Sequence, residues 1–193
     1  MLFYLNYLIK ICYGFLSSVF LDLRNMHISV ELARREYLLP FLFLLKSHSK
    51  LLFLSLVDIT AVDQLSSRNL NRFQLNYSLL SHYFRARINI IINLKEDEDI
   101  DSVDKIYKGS AWLEREVWDM FGIFFINHPD LRRILTDYGF EGFPLRKDFP
   151  VTGYSDIRYD DTQKCLVYEP LELSQELRAF DTLSPWVSKE EIL

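Results

Sequence analysis

Acidic and basic side chains crowd one stretch of this chain. Glu114, Arg115, Glu116 and Asp119 come first, then Asp130, Arg132, Arg133 and Asp137, then Arg146, Lys147 and Asp148. Carboxylates at this density are what acid–base catalysis or a hard cation would use. Each acid, however, has an arginine or lysine close by, the pattern of a structural ion-pair network where segments meet. Buried pairs of that kind add little net stability, but they fix register and are costly to break singly. The reading is therefore of structure and interface, with no catalytic residue.

Other chemistries find little support. The four histidines, His27, His48, His82 and His128, show no HxxxH or HExxH spacing. Cys12 and Cys165 are the only cysteines, too few for a disulfide framework or a four-thiolate cluster. Reduced, structural thiols are the expectation, which fits a reducing compartment. No GxGxxG, GxxxxGK[ST] or GxSxG occurs, so dinucleotide, nucleoside-triphosphate and hydrolase sites are unsupported. The net charge of −5 comes from interleaved acids and bases, without the basic stripe that would suggest nucleic acid. The surplus of Phe and Tyr points instead to protein–protein contact.

These residues need elements to hold them. Over residues 1–26 the spacing of Leu5, Leu8, Ile9, Cys12 and Leu16 predicts an amphipathic helix lying on the core. Asn6, Lys10, Gly14, Ser17 and Ser18 interrupt it too often for a membrane span, and it lacks the Arg and Ser richness of a transit peptide. A short strand is expected over 27–32 and a helix over 35–46, starting near Leu39 so that Pro40 falls in the first turn. The run 51–59 suits a buried strand. Apolar residues occupy the odd positions Phe73–Leu79, then the even positions Phe84–Leu94, and this predicts an antiparallel hairpin with one wet face. The charges at 95–99 read as a solvated loop.

Residues 101–121 read as helical in two pieces, capped by Ser102 and Ser110 and stopped by Gly122. The 27–135 domain is thus α+β: a small mixed, mostly antiparallel sheet with helices on one side. From 136 to 193, Gly and Pro break up an aromatic stretch that sustains neither period, giving a long irregular C-terminal extension. Ordering a segment of that length costs on the order of tens of kcal/mol. A thin segment offsets this best by wrapping a partner.

The motif residues resemble a known family. Glu114-Arg115-Glu116-Val117-Trp118-Asp119-Met120-Phe121-Gly122 are followed by His128-Pro129-Asp130-Leu131-Arg132-Arg133-Ile134-Leu135-Thr136-Asp137-Tyr138-Gly139. Both runs are similar to the signature of the C-subunit family of NADH:ubiquinone oxidoreductase, respiratory complex I, whose mitochondrial members are NADH dehydrogenase subunit 9. The likeness runs on through Pro144-Leu145-Arg146-Lys147-Asp148-Phe149-Pro150 to Ser184-Pro185-Trp186, and covers roughly 30 to 190. It adds Trp118 and His128 to the signature residues. Phe143 departs from it, because many relatives carry His there, and Gln64-Leu65 replace a proline.

The resemblance implies a core scaffold subunit that binds no flavin, iron–sulfur cluster or nucleotide. It would sit in the quinone module of the peripheral arm, against the large quinone-site subunit and the small terminal-cluster subunit. That places it at the matrix face of the mitochondrial inner membrane, attached to the membrane only through the complex. Sparse alanine beside abundant Leu, Phe, Tyr and Asn suggests an AT-rich organelle genome. The equivalent subunit of a membrane-bound hydrogenase is the alternative, and a free-standing enzyme is a more remote one.

Overall fold

The alternation over residues 72–94 becomes the middle of a five-stranded sheet. The computed structural model describes residues 7, 10–22, 27–65, 71–178 and 180. Strands β1 (Leu16–Asp22), β2 (His27–Leu32), β3 (Ser55–Asp63), β4 (Phe73–Ser81) and β5 (Ala86–Leu94) lie in the order β1-β2-β5-β4-β3. The β2–β5 pair is parallel and the other three are antiparallel. On β4 and β5 the register sets Tyr77 opposite Ile90 and Leu79 opposite Ile88, so the two alternations share one face. Phe73, Leu75, Tyr77, Leu79, Ile88, Ile90, Ile92 and Leu94 are all buried. On the wet face Ser78 donates to Asn89, Gln74 to Asn76 and Asn93 to Glu31, so half-buried side chains satisfy one another.

Helix α1 (Leu38–Ser47) turns Leu38, Phe41, Leu42 and Leu45 into the core. A 3-10 turn at Arg35–Tyr37 leads into it, and Pro40 falls in its first turn, where a missing N–H costs nothing. Helix α2 (Ser110–Phe121) adds Val117 and Phe121 to the same core. The α+β architecture expected from the sequence is the one found.

Several elements differ from expectation. The helix predicted over 1–26 is helical at Lys10–Cys12 but gives way to strand β1, which pairs with β2; residues 1–6, 8, 9 and 23–26 lie outside the described residues. Pairing with β2 sets the extended backbone from Leu16 onward, and of the apolar residues that carried the helical spacing only Leu16 lies in β1. The buried run at 51–59 is extended only from Ser55, because Leu52 sits in the left-handed region at φ 47°. Ahead of α2, a two-residue strand β6 (Ile100–Asp101) pairs in parallel with β7 (Phe125–Ile126) where helix was expected. Ser110 does not cap: Gly109 holds the N-cap position and no side chain bonds there.

The chain divides into two compact units, residues 1–149 and 150–193. Residues 136–149 fall within the first of these units. The second unit is not irregular throughout. It contains an antiparallel hairpin of β8 (Ser155–Asp160) and β9 (Cys165–Pro170), so a period of two does run through the extension.

Candidate functional site, a charged junction around helix α2

Two carboxylates of α2, Glu114 and Asp119, are fully buried. Five residues of α-helix separate their directions by about 140°, so they serve two different neighbourhoods. Asp119 turns to the loop that follows β7. Its Oδ2 accepts backbone N–H groups from Ile134 (3.1 Å), Leu135 (2.7 Å) and Thr136 (3.0 Å). Its Oδ1 accepts the Thr136 hydroxyl at 2.6 Å and Arg133 Nη1 at 3.3 Å. Burial alone pushes this carboxyl up, and it is the largest single influence. The hydroxyl and N–H donors together outweigh it and hold Asp119 below the ordinary range.

Aromatic rings and guanidinium groups build the surrounding wall. Arg133 also donates to the Gly142 carbonyl at 2.9 Å and lies 5.0 Å from the Phe143 ring centre. Arg146 covers the same ring at 4.6 Å, and Trp118 meets it edge-on at 5.8 Å. Phe143 is therefore held by two cations and an indole, contacts that use a π face. Arg146 Nε donates to the Phe121 carbonyl at 2.6 Å, placing a cation at the negative end of α2. Gly122 ends that helix at φ 76°. A Cβ there would come within 2.6 Å of Phe143 and 2.8 Å of Arg146, so glycine is required for both the turn and the approach.

A second knot joins this wall to the sheet. Asp63 at the end of β3 is buried. It accepts from Arg72 Nη2 (3.2 Å), the Lys147 N–H (2.9 Å) and the Leu65 N–H (3.1 Å). Burial raises its carboxyl, but the Arg72 bond and these N–H groups bring it below the usual range. Arg72 also bonds Glu96 at 2.7 Å and Asp148 at 2.9 Å, and its guanidinium is held still more firmly protonated by Asp63. Arg146 Nη1 reaches the same Glu96 at 3.2 Å. Arg146, Lys147 and Asp148 are thus all used, by side chain, backbone and side chain respectively.

Glu114 lies differently. It accepts from the Ser102 hydroxyl (2.6 Å) and the Val103 N–H (2.8 Å), and His128 Nε2 stands 3.8 Å away. No arginine or lysine is paired with it among the described residues, contrary to the expectation that every acid of the cluster is so matched. His128 Nδ1 accepts the Asp130 N–H at 3.1 Å, and Nε2 is 3.2 Å from the Ala111 carbonyl. Burial is the largest influence on Glu114 and outweighs Ser102, the Val103 N–H and His128, so its carboxyl is raised above its ordinary value of 4.5.

The remaining predicted residues are peripheral. Arg115 lies over Trp112 at 4.9 Å and donates to the Arg132 carbonyl at 3.0 Å. Arg132 pairs with Asp130 at 2.9 Å, both exposed, a pair worth little in water. Glu116 is exposed, and Asp137 accepts the Tyr138 N–H. Sequence reasoning missed Asp63, Arg72, Glu96, Ser102 and Thr136 as members of this network. Glu96 was hidden in the charge run at 95–99 that read as solvated loop.

The arrangement offers no open pair of acid and base, because its buried carboxylates face the chain's own donors. Among the described residues no group of three or more His, Cys, Asp or Glu could hold a metal ion.

Residues 32–155 match the family model described as respiratory-chain NADH dehydrogenase, 30 Kd subunit. The chain belongs to this family. It is 52% identical over 160 residues to NADH-ubiquinone oxidoreductase subunit 9 of Prototheca wickerhamii, covering 82% of each chain. With the C subunit of NADH-quinone oxidoreductase from Ruegeria pomeroyi the identity is 51% over 156 residues, covering 81% of this chain and 77% of that one. A rice relative, NADH dehydrogenase [ubiquinone] iron-sulfur protein 3 of Oryza sativa subsp. japonica, is 48% identical over 168 residues and covered to 87%, as is this chain. The iron–sulfur group in that relative's name does not fit the residues of this chain. Its two cysteines, Cys12 buried and Cys165 exposed, fall in different units, and a cluster is held by four thiolates.

The same fold recurs in a chain of the membrane-bound sulfane sulfur reductase, an archaeal respiratory membrane complex. The TM-score is 0.60 at 22% identity, covering 75% of this chain and 85% of that one. No helix among the described residues is long and apolar enough to cross a membrane.

Proposed function

We propose that this chain is a non-catalytic core scaffold subunit in the quinone module of the peripheral arm of respiratory complex I. It supports electron transfer from NADH to ubiquinone and carries no redox group of its own. Its partners are the large quinone-site subunit and the small terminal-cluster subunit. Its place is the matrix side of the mitochondrial inner membrane, with membrane attachment only through the complex and with synthesis inside the organelle. The C-terminal extension wraps those partners.

One observation carries the reading. The best-anchored charges of the junction are spent on positioning the chain itself: Asp119 holds residues 134–136, and Asp63 with Arg72 holds residues 147 and 148. A carboxylate that accepts five donors is a fixed anchor rather than a proton shuttle. Native electrophoresis of mitochondria with and without the chain tests the reading. The scaffold role requires the NADH dehydrogenase complex to be lost with the chain and restored with it. It also requires the purified chain to show no visible chromophore and no stoichiometric iron or zinc. A complex that assembles normally without the chain, or a reproducible one-to-one metal content, overturns the proposal.

A further inference from the structure

The β8–β9 hairpin has two unlike faces. Residues paired across it share a side, so Ile157 with Tyr168 and Tyr159 with Leu166 form one apolar face. Their exposures are 44%, 55%, 57% and 66%. The reverse face carries Asp156, Arg158, Asp160 and Glu169, with Arg158 and Glu169 paired at 2.7 Å. A two-stranded hairpin standing alone in water is marginal, and a contiguous aromatic face marks a contact site. Once Arg158 and Glu169 cancel, Asp156, Asp160, Asp161 and Glu172 remain against Lys164, so the hairpin and its immediate surroundings carry a net negative charge.

We infer that this hairpin is a docking element whose apolar face seats on a different protein subunit, one presenting an apolar patch bordered by Lys or Arg. The inference rests on the scaffold reading above and names which part of the extension does the docking. Charge selects the occupant. A second copy would bring one negatively charged hairpin against another, and an anionic bilayer would repel the same net charge. Cross-strand aromatic pairs give rigid contact area at low entropic cost, and basic groups on the partner complement that charge.

The test uses the full-length chain in the assembled complex, with a photo-crosslinking residue at position 166. The expected product is an adduct with another polypeptide, at a peptide combining apolar residues with Lys or Arg. An adduct within this chain, with a second copy or with lipid overturns the inference, and so does the absence of any adduct. Tyr159→Ser with Leu166→Ser is expected to cut the chain retained in the complex about tenfold or more, the scale of losing aromatic anchors. Asp156→Asn, on the reverse face, is expected to have much the smaller effect; equal losses from both faces also overturn the inference. Co-migration of the unsubstituted chain with the other subunits tests the scaffold reading separately. A chain absent from the complex sinks that reading, whereas a chain present with the wrong adduct sinks only the docking face.

Discussion

The two carboxylates of helix α2 are equally buried and yet electrostatically opposite. Asp119 meets a hydroxyl, three backbone N–H groups and Arg133, and its carboxyl is lowered. Glu114 meets the Ser102 hydroxyl, one backbone N–H and an imidazole 3.8 Å away, and its carboxyl is raised. Burial sets the cost of a charge, and the number of donors decides whether the charge stays. One end of the helix is therefore an ionic clamp on the following loop. The other is a carboxyl whose proton is easily gained and whose hydrogen bonds a neutral group could largely keep.

The largest expected effect comes from removing the clamp. Asp119→Ala leaves Arg133 and the N–H groups of residues 134–136 without their acceptor, and should cost about 3–5 kcal/mol in denaturant unfolding. Hydrogen exchange should show that loss first at residues 134–136. Next comes Arg133→Gln, which keeps part of the bond to Gly142 but removes the cation over Phe143, for about 1–2 kcal/mol. Glu114→Gln should cost about 1 kcal/mol or less, because the amide oxygen still accepts from Ser102 or Val103. If Glu114→Gln proves as damaging as Asp119→Ala, the two ends are alike and the comparison fails.

The smallest effect is one of pH, and its sign differs between the ends. For Glu114 the folded-state carboxyl is raised, so a penalty on folding grows as pH climbs from the ordinary 4.5 through the raised value. Acidification towards the ordinary 4.5 relieves that penalty. For Asp119 the folded-state carboxyl is lowered. Its contribution is full above the ordinary 3.8 and is lost as pH falls through the lowered value. Unfolding curves collected downward from neutral pH should therefore show Glu114→Gln losing the gain that the unsubstituted chain makes above pH 4.5. Parallel profiles for the two chains would show that Glu114 is not raised.

Much of the sheet was legible because its signal is local. Phe73–Leu79 alternate without interruption, Ile88–Leu94 do so except at Ile91, and Gly122 marks the end of α2. Strand β1 was not legible, since its pairing with β2 is set by tertiary contact, and the helical spacing read from Leu5 to Leu16 was carried on past its last residue. The β8–β9 hairpin was missed because its strands are short and sit among prolines and glycines, although Ile157 and Tyr159 do alternate with Asp156, Arg158 and Asp160. At the junction, the clustering of Glu114, Asp119, Arg133 and Arg146 could be read directly. Their partners could not: Asp63 lies 84 residues from the Lys147 N–H it accepts, and nothing local links them. Glu114 was misassigned for a related reason. Neighbouring arginines in sequence point elsewhere in space, and only the fold shows that Ser102 and His128 face it.

If the charges around α2 hold a scaffold together rather than perform chemistry, reversing two of them should damage assembly and spare turnover. Replacing Arg132 and Arg133 together by Glu sets a carboxylate against Asp119. Assembled complex and turnover per assembled complex can then be measured on the same membranes. A scaffold gives a steep fall in assembled NADH dehydrogenase, with the turnover of each surviving complex close to that of the unsubstituted one. Normal assembly with abolished turnover would mean that these residues do chemistry after all.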